Sequence, residues 1–306
     1  MNTAHTPNTP HFLPALAVAT TITVWATAFP AIGVALTEMS PLGLASMRFA
    51  IAAAFALAWL GFRRPLRMPL GDLLVCVLCG WVGAAGYSVL LNMGQTSVSP
   101  GAASFLVKTE SLWMAMFGVL FLKESFNRWA WIGTAIGFAG VGTIAYGQPG
   151  GIAWGSGAPF VLAAALCSAT GFVLQRRLVQ RHGALQVSAI MLVSAAVALL
   201  PWLPQGTKEL TTASGEVWLW VLFLGLFPTL IGQFCWTYAI GQFGAARAGN
   251  FLYLIAPLAM GLSWLMSREV AGWSTAFGGA CVLAGVLLVN VRGRTATLPK
   301  PKGAAA

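Results

Sequence analysis

Charge is what this chain has least of. Asp, Glu, Lys and Arg together make up 8% of its 306 residues, and seven of those side chains are acidic. General acid–base chemistry needs paired carboxylates, and Glu110 alone lies well inside an apolar run. Histidine is as scarce: His5, His11 and His182 are not spaced to share a metal on one helix face. No glycine-rich loop ends in Gly-Lys-Ser/Thr, which removes a Walker-type ATPase, and no Gly-x-Ser-x-Gly elbow occurs. Cys76 and Cys79 stand at a redox-like or metal-like spacing, but without a second pair or a nearby histidine they read as buried thiols. No metal and no cofactor is expected, and no enzyme.

What fills the chain instead is hydrocarbon. It is 58% hydrophobic with a mean hydropathy of +0.79, more apolar surface than a soluble globule of this length could hide. A helix needs about 20 mostly apolar residues to cross the hydrocarbon core. Runs of that kind cover 12–37, 42–62, 72–95, 99–122 and 129–147, then 158–175, 184–203, 216–240, 246–267 and 272–291. The connections are short, so 1–306 reads as one membrane domain, with polar tails at 1–10 and 295–306 read as disordered. The first run is too long for a signal-peptide core and lacks a basic flank, so it is kept as a mature span.

The second five runs repeat the first five. An offset of 145 residues places Gly80 on Gly225, Ala103 on Ala248, Glu124 on Glu269 and Gly133 on Gly278. Five is odd, so the two units (about 12–147 and 158–291) must cross the bilayer in opposite senses. Inverted repeats of this kind build secondary transporters, with a site near the midplane where the repeats meet. The fold class expected is therefore all-α integral membrane, ten transmembrane helices as two inverted five-helix repeats. Thirteen basic residues, Arg63, Arg64, Arg67, Arg176, Arg177 and Arg181 among them, fall on one side, against Lys208 and Arg268 on the other. That asymmetry puts both termini in the cytoplasm. It also explains the net charge of +10 without nucleic acid, since basic loops beside a membrane meet anionic headgroups.

The most unusual local sequence is Lys108-Thr109-Glu110, in the middle of the fourth span. A charge at that depth costs roughly 2.5–3.5 kcal/mol, so such residues face a cavity or a partner. Residues two apart on a regular helix are rotated by about 200°, so these two cannot pair along one. Either they face different clefts or the helix is locally broken. Arg48 is a candidate structural partner for Glu110, and it reads as snorkelling or pairing between helices. The repeat mate of Lys108 is Tyr253, and Asn250 lies three residues before it on the same face. Aromatic and amide side chains at comparable depth add Trp25, Tyr87, Asn92, Trp113, Gln233 and Trp236, the mixture that small-molecule pockets favour. Pro30, Pro228 and Pro257 mark bends and are the candidate hinges. Gly133, Gly137, Gly140 and Gly142 form a small-residue ridge on the fifth span, echoed by Gly278, Gly279 and Gly285 on the tenth, and these are packing signals.

First-span Trp25-Ala-Thr-Ala-Phe-Pro30, second-span Arg48-Phe-Ala and Leu122-Lys-Glu124 resemble the drug/metabolite transporter superfamily, closest to its ten-span EamA-type exporters. Ala245-Ala-Arg-Ala, Ala256-Pro257-Leu and Arg268-Glu269 resemble the same pattern in the second copy. The resemblance implies a bacterial inner-membrane carrier, often an exporter of amino acids or other small metabolites. It also implies a cavity walled by spans one, three, four, six, eight and nine, with five and ten peripheral. Members often carry a proline in the fourth span, where this chain reads Glu110-Ser111-Leu112. The function expected is alternating-access export of small organic solutes, amino acids including aromatic ones first. Other metabolites or drugs are the alternative, ahead of a passive channel or a membrane enzyme. A zwitterion could set its carboxylate on Lys108 and its ammonium on Glu110. The partners expected are a small-molecule substrate and membrane lipid, with no nucleic acid, for a chain taken as monomeric.

Overall fold

A backbone in hydrocarbon must satisfy its own hydrogen bonds, and a chain this apolar does so by helices throughout. The computed structural model describes residues 12–62, 68–98, 100–146, 156–255, 258 and 273–293, and no strand occurs among them. Candidate hinge Pro257, basic residues Arg63, Arg64, Arg67 and Arg268, and both tails lie outside the described residues.

The helices are α1 (Phe12–Ala35), α2 (Pro41–Gly61) and α3 (Leu70–Gln95). Then come α4 (Pro100–Val107 and Thr109–Leu122), α5 (Arg128–Tyr146) and α6 (Ala158–His182). The chain continues with α7 (Ala184–Thr212), α8 (Gly215–Phe243), α9 (Ala245–Phe251, with a tight turn at Leu252–Leu254) and α10 (Trp273–Arg292). Among the described residues, seven helices are long and apolar enough to cross a membrane. Their outward faces carry exposed Phe55, Leu74, Phe121 and Leu219, as lipid contact requires, and α10 exposes Leu287. The seventh run extends further than its apolar residues suggest, through a tight turn at Leu200–Trp202 to Thr212.

Starts and stops follow local chemistry. Ser40 and Ser214 cap α2 and α8, each in extended conformation and accepting a bond from the N–H three residues on. Gly183 and Gly244, at φ of 82° and 85°, make the one-residue corners between α6 and α7 and between α8 and α9, a conformation a Cβ would strain.

Two carboxylates tie the corners of one face together. Glu209 accepts from the Ser40 N–H and hydroxyl, both at 3.0 Å, while Glu38 accepts from the Ser214 N–H and hydroxyl at 2.7 Å. At the opposite face Glu124 accepts from the first two N–H groups of α9, Ala245 at 3.0 Å and Ala246 at 2.8 Å, and pairs with Arg176 at 3.5 Å. Asp72 there binds Arg181 and His182.

The glycine ridges meet each other. A Cβ on Gly133 would stand 2.7 Å from the Gly285 carbonyl, and one on Gly278 would stand 2.7 Å from the Gly140 carbonyl. Contacts running in that order make α5 and α10 antiparallel, with backbones closer than any side chain allows. Gly83 of α3 and Gly171 of α6 touch in the same way, each barring a Cβ on the other. Cys76 and Cys79 sit buried in an apolar cluster between α3, α6 and α7, the Cys76 thiol donating to the Val187 carbonyl at 3.5 Å.

Candidate functional site

Helices α3, α4, α8 and α9 leave regular geometry along their lengths. In α3 and α8 the windings widen to i→i+5 bonding, at Cys79–Gly86 and Gly225–Gly232. Widened turns are frequent at functional sites. Offset by 145 residues, Gly80 and Gly225 open both segments within a residue of their starts, so the irregularity is itself duplicated. The third break is at Lys108 in α4, and its mate, Tyr253, falls in the tight turn Leu252–Leu254 of α9.

The α8 irregularity organises its neighbours. Pro228 cannot donate to the carbonyl four residues back, which is that of Leu224. The Thr229 hydroxyl donates to that carbonyl at 2.7 Å instead. The Thr229 hydroxyl oxygen in turn accepts from Arg48 of α2, Nε at 3.3 Å and Nη2 at 3.1 Å. The Trp25 indole of α1 donates to the Pro228 carbonyl at 3.0 Å, and Gly232 makes room for it, since a Cβ there would lie 2.5 Å from Nε1. One proline thus draws three helices together.

The α4 break settles the geometry of its two charges. Lys108 N donates to Phe105 O at 2.9 Å and Ser111 N to Lys108 O at 3.1 Å, both bonds reaching three residues back. Through this tightened turn Lys108 Nζ comes 3.7 Å from Glu110 Oε1, a pair that a regular helix would forbid. Glu110 Oε2 accepts from the Ser168 hydroxyl of α6 at 2.7 Å, and Lys108 Nζ sits 5.9 Å from the centre of the Phe29 ring. Of the two arrangements the sequence left open, the broken helix is the one found. Arg48 does not take Glu110 as its partner; it bonds to Thr229.

Between these breaks lies a cavity of about 70 Å³. Lys108, Glu110, Trp25, Tyr87 and Gln233 all line it. The other five candidates lie elsewhere. Asn92 donates to the Pro41 carbonyl at 2.9 Å, joining α3 to the start of α2. Trp113 lines a separate apolar groove with Trp131 and Leu162, at 5.8 Å from Phe117. Trp236 is fully buried behind the wall, 5.6 Å from Trp25 and 5.7 Å from Phe172. Asn250 ties α9 to α5 by accepting from the Thr134 hydroxyl at 2.7 Å. Tyr253 packs against Gly137 and Phe138.

The wall also differs from what the resemblance implied. Spans one, three, four, six and eight contribute, but Arg48 and Phe49 of α2 and Leu192 of α7 take part, and no described residue of α9 does. Tyr253 and Asn250 are held against α5, which turns α9 away. Sequence reasoning passed over Arg48 as a cavity residue, and also Phe29, Phe172, Ser168 and Thr229. The signal was there for two of them: Arg48 is a cation two turns inside an apolar helix, and Thr229 follows a mid-helix proline.

A profile of the EamA-like transporter family matches residues 13–146 and matches again over 155–291, one match for each half. An uncharacterised transporter of Bacillus subtilis, YdfC, is 34% identical over 89% of this chain and 89% of its own. A protein of Streptantibioticus cattleyicolor, named "Probable terminal-alkyne amino-acid exporter", is 34% identical over 90% of this chain and 93% of its own. A "Probable amino-acid metabolite efflux pump" of Salmonella typhimurium is 25% identical over 89% and 92%. One solved crystal structure superposes with a TM-score of 0.75 over 92% of this chain and 97% of that one, at 21% identity, which speaks for the fold alone. These names are those of transporters, not enzymes.

Proposed function

Because the chain belongs to the EamA-like transporter family, we propose that it is a secondary exporter of small organic solutes working by alternating access, with amino acids, aromatic ones included, as the first substrates to test. The observation that carries this reading is the central cavity, where broken helices from both halves converge on a charged, aromatic-lined space. Broken helices at the meeting of inverted repeats are where such carriers hold their cargo. The architecture we propose is one domain of ten spans in a bacterial inner membrane, with both termini cytoplasmic as the basic loops indicate. The two relatives named for amino acids support the substrate class.

Movement would centre on the duplicated widened turns of α3 and α8. There the regular backbone ladder is already interrupted, so bending breaks little further hydrogen bonding in lipid. Pro228 sits inside one of these turns. Pro30 lies in α1, which runs helically through it, and is a weaker hinge on that ground. The glycine-locked α5–α10 pair would stay still while the other helices tilt around it.

Counterflow in liposomes tests the function. Purified protein preloaded with unlabelled phenylalanine, leucine or threonine should take up the labelled solute above equilibrium. Ion current without counterflow would make it a channel, and chemical conversion of the solute an enzyme.

A further inference from the structure

The cavity holds two cations and one carboxylate, and the carboxylate is already engaged. Glu110 pairs with Lys108 through one oxygen and accepts from Ser168 through the other. Arg48 is the charge left over. It is 7% exposed, lines the cavity, and forms no ion pair with any carboxylate among the described residues. Its contact with Thr229 uses Nε and Nη2 and leaves both N–H groups of Nη1 and one of Nη2 without a partner among the described residues. That free edge is a two-pronged fork, the geometry that grips a carboxylate by two parallel bonds.

Resting on the reading of this chain as a carrier, we propose that Arg48, held at a fixed angle by Thr229, is the anchor for a carboxylate, and that the preferred cargo carries one net negative charge on an apolar, aromatic-sized body, with its amine absent or blocked. The charge count leads there. Arg48, Lys108 and Glu110 sum to +1, which a monoanion neutralises and a zwitterion does not. A free ammonium would enter beside Lys108 and find Glu110 already occupied. The same cavity is lined by Trp25 and Phe172, stacked at 6.1 Å with their planes 14° apart, and by Phe29, aromatic faces against which an apolar group can pack. N-acylated amino acids and 2-oxo acids have this chemistry; free amino acids have half of it.

Three probes with one aromatic body separate the possibilities: N-acetylphenylalanine (an anion), phenylalanine (a zwitterion) and phenylalaninamide (a cation), titrated by calorimetry into the purified full-length protein in detergent. The anion should bind at least tenfold tighter than the zwitterion, and the cation weakest. Arg48→Gln should weaken the anion at least tenfold and leave the cation no worse, with Arg48→Lys recovering part of the loss. The wild-type series decides even where a variant fails to fold. Equal affinities across the series, tighter binding of phenylalanine, no binding of any probe, or a folded Arg48→Gln protein of unchanged affinity would each overturn the assignment. Counterflow of the same probes judges the carrier reading separately. Binding of the anion without exchange sinks transport and leaves the anchor, whereas exchange without carboxylate preference does the reverse.

Discussion

Lys108 and Glu110 offer the most decisive perturbation, because the structure turns two isolated midplane charges into one buried pair. Their side chains are 2% and 3% exposed, with Nζ 3.7 Å from Oε1. Removing one partner of such a pair strands the other in a low-dielectric interior and costs about 3–5 kcal/mol. Glu110→Leu leaves Lys108 only the Phe29 ring, at 5.9 Å near the limit of a cation–π contact and worth about 2 kcal/mol, so its cost should fall in the upper part of that range. Lys108→Met leaves Glu110 with the Ser168 hydroxyl at 2.7 Å, which softens the loss toward about 3 kcal/mol. Replacing both removes the charge altogether and should land within about 1 kcal/mol of the original chain, or above it. The predicted coupling is therefore several kcal/mol, well beyond the error of unfolding by titrated denaturing detergent in mixed micelles, followed by tryptophan fluorescence. Single variants that unfold at the wild-type midpoint, or a double variant as weak as the sum of the singles, would refute the pair as a structural unit. Exchange by the double variant adds a second reading: if transport survives, neither charge touches cargo.

Gly285→Val should separate α5 from α10, since its first added carbon would lie 2.5 Å from the Gly133 carbonyl and 2.6 Å from the Gly137 nitrogen; a loss of about 3 kcal/mol or more is expected, and an unchanged melting curve in detergent would count against the close approach. Glu38 accepts two bonds from Ser214, the hydroxyl's first and then the backbone N–H's, which hold its carboxyl below the ordinary value of 4.5. Its folded pKa being depressed, the stability it contributes is present above pH 4.5 and disappears as pH falls through the lowered value, so Glu38→Gln should flatten the acid limb of a stability–pH profile, and a profile identical to wild type would remove the link.

The fold was largely legible because its two signals are coarse ones, long apolar runs and self-similarity at a fixed offset. Neither depends on where a side chain points. The glycine ridges were legible for the same reason, since a missing Cβ acts through spacing alone. The site was harder. The α4 break carries no proline or glycine; it follows from three-residue bonds around Lys108 and a carboxylate two residues on, and regular-helix geometry argued against the very contact it permits. Arg48 looked like a snorkelling residue because its depth was readable and its direction was not. Asn250 and Tyr253 were placed on the right shared face, yet that face meets α5 rather than the cavity, a fact set by packing between helices 116 residues apart in sequence. Trp236 was deep as expected, but depth behind Trp25 and Phe172 puts it in the second layer of the wall.

The α5–α10 seam has a further consequence. Gly133 meets Gly285 and Gly140 meets Gly278, while the 145-residue offset makes Gly133 the counterpart of Gly278 and Gly140 the counterpart of Gly285. Each half therefore presents the same surface to the other, as the two subunits of a symmetric dimer do. Two identical halves meeting this way would place every pocket residue there twice, so a Lys–Glu pair in one would mean four charges within a single buried space. The covalent link removes that obligation. Tyr253 and Ile255 hold the sequence positions of the second lysine and glutamate; both are buried, neither lines the cavity and neither is charged at neutral pH. Fusion is what allows one half of a symmetric frame to hold the charges while its twin supplies support.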